Sequence, residues 1–107
     1  MGTVKFHRKA KKLLPQLRKE VKNISELNTY SSVLFFADQK EEALAVAKLN
    51  TLLFPNEAYT YESLANKQFK TNSLEKALKN YETSLTLDPE NERVKKSITT
   101  VKEKIGV

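Results

Sequence analysis

Residues 58–89, AYTYESLANKQFKTNSLEKALKNYETSLTLDP, decide the fold. Tyr61, Leu64, Ala65, Ala77, Tyr81 and Pro89 stand there as an aromatic, a leucine followed by a small residue, an alanine, a second aromatic and a proline. The same skeleton recurs toward the N-terminus in Leu27, Tyr30, Ser31, Ala43, Ala47 and Pro55, each offset by the same period of about 34 residues. Phe35 answers Phe69, Glu41 answers Glu75 and Leu53 answers Leu87 at that offset. Self-similarity at a fixed period of this length marks stacked helix-turn-helix units, none of which buries its apolar face alone.

The spaced set resembles the tetratricopeptide (TPR) repeat family over about residues 24–91. The resemblance implies an all-α fold, an α-solenoid of two TPR helix-turn-helix repeats. Repeat 1 is expected over 24–57 and repeat 2 over 58–91, with a flanking helix over 13–23 and a capping helix over 92–105. Residues 1–12 form a basic N-terminal arm, and 13–107 form the helical domain.

Local pattern supports each element. Leu13, Leu14, Leu17, Val21 and Ile24 recur at three- and four-residue steps, with Pro15 near the start where its missing N–H costs little. The first repeat reads as helices over 26–37 and 40–53 around a turn at Asp38 and Gln39. Leu27, Tyr30, Ser31 and Leu34 share a face, met by Ala43, Leu44, Ala47 and Leu52. Alanines belong at the closest crossing, where a longer side chain would push the axes apart. The second repeat reads as helices over 57–70 and 73–87 around a turn at Thr71 and Asn72. Gln68 stands there where the pattern wants an aromatic, which leaves more of the packing to Phe69. Asn91 is placed to cap the last helix, whose Val94, Ile98, Val101 and Ile105 form one stripe among polar residues.

The 107 residues allow one modest core, and 39% hydrophobic with 30% charged composition suits a water-facing helical chain. Cysteine is absent, which excludes disulfides, thiolate nucleophiles and cysteine-bound zinc. The net charge of +6 comes from residues 1–22, where Lys5, Arg8, Lys9, Lys11, Lys12, Arg18, Lys19 and Lys22 face Glu20 alone for a balance of +7, while the remaining residues carry −1. No apolar run approaches a membrane span, and no secretory signal opens the sequence, so the default location is cytoplasmic. A longer parent protein would reopen that question.

Catalytic sets are missing. His7 is the only histidine, Gly2 and Gly106 are the only glycines, and Glu41 and Glu42 diverge by about 100° on a helix. A histidine-based triad or a histidine–carboxylate zinc site has at most one candidate in His7, and no phosphate-cradling glycine loop is present. The chain is expected to be non-catalytic, with no cofactor and no metal.

In TPR arrays the leading helices line a concave face that meets a protein or peptide. Carried across by register, the resemblance implies Asn28, Ser32 and Phe36 from repeat 1, and Tyr59, Glu62, Asn66 and Lys70 from repeat 2. Arg93, Lys96 and Thr100 continue that face on the last helix. Each of these residues also has an ordinary reading as packing or solvent-facing surface. Some family members clamp the carboxylate of a chaperone tail with lysines and asparagines. Here repeat 1 offers no lysine and Glu62 places an acid in the groove, so chaperone-tail binding is not expected. The basic arm, with Phe6 and His7, could meet nucleic acid or an anionic surface, though no nucleic-acid-binding module accompanies it.

A narrower resemblance runs through Glu42-Ala43-Leu44, Phe54-Pro55-Asn56, Tyr61-Glu62-Ser63-Leu64-Ala65 and Tyr81-Glu82-Thr83-Ser84-Leu85. It is similar to the C-terminal TPR tail of bacterial serine hydrolases, both esterases and β-lactamase-like enzymes. That would make the chain an accessory module with the catalytic serine elsewhere and its own catalytic domain as partner.

Overall fold

A computed structural model describes residues 23–106. The basic arm and residues 13–22 of the expected flanking helix lie outside the described residues. Within them the fold is all-α, with helices α1 (Ile24–Phe36), α2 (Lys40–Leu53), α3 (Ala58–Lys70), α4 (Leu74–Leu87) and α5 (Glu92–Ile105). Two compact units are distinguished, one ending at Pro55 and the other starting at Asn56.

The first unit pairs α1 with α2. Asn23 starts α1, its side-chain oxygen accepting from the Ser25 N–H at 2.9 Å. Ser31 is fully buried and donates its hydroxyl to the Ala43 carbonyl at 2.6 Å, which a bulkier residue would prevent. Ala43 and Ala47 are buried as the register requires. Tyr30 departs from expectation, being half exposed rather than on the packed face. Its place beside Ser31 does not decide this, since Leu64, at the equivalent position beside Ala65, is buried; the difference lies in what surrounds each residue.

The second unit pairs α3 with α4 and α4 with α5. Its core is Ala65, Ala77, Tyr81, Val94 and Val101, with Phe69, Leu74, Leu78, Leu85, Ile98 and Ile105 packed around it. The Gln68 position is accounted for, since its side-chain oxygen accepts from Asn80 Nδ2 at 2.8 Å. A polar pair therefore joins α3 to α4 where an aromatic contact was the alternative. Asn91 caps α5 by accepting from the Arg93 and Val94 N–H groups at 3.0 and 3.3 Å. Gly106 ends it in the left-handed region at φ 94°, a conformation glycine adopts without a Cβ penalty.

The repeat persists in the hydrogen bonds. Asp38 and Asn72 both adopt positive φ, 64° and 65°. After them the Gln39 N–H reaches the Leu34 carbonyl at 2.9 Å, and the Ser73 N–H reaches the Gln68 carbonyl at 2.8 Å. These bonds close the leading helix of each unit in the same way. Asn50 Nδ2 donates to the Ile24 carbonyl at 3.0 Å, and Ser84 Oγ to the Ala58 carbonyl at 2.9 Å. Each joins the end of a second helix to the start of its leading helix, at equivalent positions but with different chemistry.

Candidate binding face on α3 and α5

On α3, Glu62, Asn66 and Lys70 follow at four-residue steps and share a face, with Tyr59 one turn before Glu62. On α5, Arg93, Lys96, Ser97 and Thr100 lie to one side of the buried Val94 and Val101. The two helices meet through Glu62 and Arg93. Arg93 Nε donates to Glu62 Oε2 at 2.6 Å and Nη2 donates to Oε1 at 2.9 Å, the two-pronged geometry that guanidinium and carboxylate favour. The Glu62 side chain is 5% exposed and that of Arg93 67%, so the acid lies under the base. Hydrogen bonding to Glu62, reinforced by its charge, holds the Arg93 guanidinium above its ordinary pKa. The acid expected to repel an anionic ligand is thus already matched by a cation.

Beside this bridge is a cleft of about 260 Å³ lined by Asn66, Phe69, Tyr81, Lys96, Ser97, Thr100 and Val101. Tyr81, 3% exposed, forms its base, and its hydroxyl donates to Asn66 Oδ1. Burial pushes the Tyr81 phenol above its ordinary pKa and the Glu62 charge adds to that, while a Ser97 hydrogen bond opposes it. The phenol is neutral at physiological pH and serves as a fixed donor. The Ser97 and Thr100 hydroxyls donate back to their own helix, to the Arg93 and Lys96 carbonyls at 3.1 Å each. Lys104 Nζ stands 5.7 Å from the Phe69 ring centroid, adding a second cation near the cleft.

Among the residues carried over from the sequence, Glu62 and Arg93 touch, and Asn66, Lys96 and Thr100 line one cleft. Tyr59 is 44% exposed. Asn28, Ser32 and Phe36 lie on α1 in the first unit, at the four-residue steps that Glu62, Asn66 and Lys70 occupy in the next repeat. Phe36 is 83% exposed and meets the Phe35 ring edge-on. Sequence reasoning treats Phe69, Tyr81 and Val101 as packing residues only and does not single out Ser97. A signal exists for Ser97, which sits at the border between the Val94–Ile98–Val101 stripe and the polar face.

Lys67 is not singled out by the sequence either. It is 8% exposed, and its ammonium donates to Ser63 Oγ at 3.0 Å. Burial, with Lys70 adding to it, lowers its pKa. Among the described residues, no group of three His, Cys, Asp or Glu side chains is arranged to hold a metal, and no helix is long and apolar enough to cross a membrane.

A chain from the solved structure of Naa15/Naa10 bound to HypK-THB superposes with a TM-score of 0.75 over 94% of this chain, at 19% identity. The fold is TPR-like. At that identity the likeness speaks to fold alone, and the matched region is 15% of the solved chain. No protein-family model matches the sequence, and no curated protein matches it as a relative.

Proposed function

We propose that this chain is a non-catalytic TPR-like interaction module that binds a protein or peptide segment through the face shared by α3 and α5. The cleft beside the Glu62–Arg93 bridge carries the reading. It combines an aromatic wall at Phe69, a buried donor network at Tyr81 and Asn66, and an exposed cation at Lys96. Recognition sites pair apolar surface with a few placed polar groups in this way. Within the second unit the binding set is Tyr59, Asn66, Lys70, Arg93 and Lys96, with Glu62 holding Arg93 in place from beneath; within the first unit Asn28, Ser32 and Phe36 occupy the equivalent register of α1. The Naa15/Naa10 complex bound to HypK-THB supplies a TPR-like neighbour found in a protein assembly. The reading as a tail of a bacterial serine hydrolase rests on sequence resemblance alone, and no structural observation favours it over a free-standing module.

Selection of a random peptide display library on the purified chain tests the proposal. Enriched sequences should bind the wild type and lose binding to Thr100→Trp, whose indole fills the cleft. Equal binding to both proteins, or no enrichment, would overturn it.

A further inference from the structure

The spacing of charge around the cleft points to one kind of occupant. We infer that the cleft takes an apolar side chain from an extended internal segment that carries acidic residues two positions before and two positions after it. The inference rests on the proposed binding role of this face.

The cleft volume of about 260 Å³ sets the size. A cavity of about 150 Å³ accommodates a benzene-sized ring, so one aromatic or branched aliphatic side chain fits here. Phe69 gives that side chain an apolar wall, and Tyr81 closes the base. With the Tyr81 hydroxyl occupying Asn66 Oδ1, the Asn66 amide nitrogen remains to donate to a peptide carbonyl.

Lys96 and Lys104 set the charge and the register. Lys96 lines the cleft, and Lys104 stands over the Phe69 ring. The helical rise from one to the other is roughly 12 Å. An extended chain advances about 3.3 Å per residue and turns every second side chain to the same side. Residues at −2, 0 and +2 therefore face the cleft together, and the outer two lie about 13 Å apart. That span is close to the rise along α5 between the two lysine positions, so acid-x-apolar-x-acid is the pattern that addresses all three positions.

The test uses N-acetylated, C-amidated, fluorescein-labelled peptides with the core Glu-Ser-Leu-Ser-Glu between Gly-Ser flanks, read by fluorescence anisotropy at low salt. Three comparison cores are Ser-Glu-Leu-Glu-Ser, Lys-Ser-Leu-Ser-Lys and Glu-Ser-Ser-Ser-Glu. A further arm gives a serine-only core a free C-terminal carboxylate. The first core should bind at least tenfold tighter than the lysine and the serine-centred cores. It should bind about threefold tighter than the core with its acids at ±1. Lys96→Met and Lys104→Met should each weaken it at least threefold, and higher salt should weaken it further. Equal affinity for the two acid spacings, preference for the lysine core, capture of the free-carboxylate peptide alone, or no binding by the first core would overturn the inference. If the first core fails while display-selected peptides remain sensitive to Thr100→Trp, the charge pattern is wrong and the binding face stands. If both fail, the proposed function falls as well.

Discussion

Arg93 covers Glu62 through two hydrogen bonds, of 2.6 and 2.9 Å, joining the leading helix of the second repeat to the terminal helix. The partners are unequally placed, since the acid is buried and the base exposed. A buried carboxylate deprived of its partner is more costly than an exposed guanidinium deprived of its own. Arg93→Ala should therefore lower the urea midpoint more than Glu62→Gln does. The Glu62→Gln/Arg93→Ala double variant should recover part of the Arg93→Ala loss. A double-mutant cycle in urea checks this, and additive effects would show that the bridge contributes no coupling.

The tie between helix ends gives a second expectation. Ser84 donates to the Ala58 carbonyl, and Asn50, its counterpart in the first repeat, to the Ile24 carbonyl. Asn50 Oδ1 is buried without a hydrogen-bond partner among the described residues. Ser84→Ala should cost about 1 kcal/mol, the usual net value of such a bond. Asn50→Ser, which keeps a donor and removes the unmatched acceptor, should stay within about 1 kcal/mol of the wild type. Denaturant unfolding of both variants reads the difference.

Lys67 makes stability depend on pH. Burial, aided by Lys70, lowers its pKa below the ordinary 10.5, so the fold binds that proton more weakly than the unfolded chain does. Below the folded value both states are charged and the full penalty is present. Between the folded value and 10.5 the unfolded chain holds more proton, and stability rises with pH. Lys67→Met should stabilise the protein at neutral pH by about 1 kcal/mol, as apolar replacement of a buried charge often does. Its advantage should shrink as pH climbs toward the ordinary Tyr81 value of 10.0. The comparison stays below that value, because the raised phenol erodes stability at higher pH.

The turns give a fourth expectation. Asn72 holds φ 65°, where a β-branched side chain is strained and glycine is not. Asn72→Val should cost about 1 kcal/mol. Asn72→Gly should keep or slightly raise the melting temperature measured by circular dichroism.

Much of the fold is readable because repeats write the same contacts twice. The alanines at 43 and 77, the small residues at 31 and 65, and the Asn91 cap each have a local steric or hydrogen-bonding reason that composition and spacing express. The expected ranges of α2 and α5 coincide with the observed ones, and the other helices differ by one or two positions at their ends. Less can be read where a side chain's fate depends on another helix. Glu62 reads as a groove acid in isolation, and only the approach of α5 turns it into the buried half of a bridge. Lys67 has the composition of a solvated position, yet it is buried against that tendency. Tyr30 carries an aromatic in a repeat position and is nonetheless half exposed, a fact set by what neighbours it rather than by its own type.

The claim that the α3–α5 face is the binding surface is tested most directly by amide chemical-shift mapping. The ¹⁵N-labelled chain would be titrated with the peptide that display selection enriches most. The largest shifts should fall at Asn66, Phe69, Lys96, Ser97, Thr100 and Val101, which line the cleft. Shifts concentrated instead on the exposed side of α4, at Lys76, Lys79 and Glu82, would contradict the account.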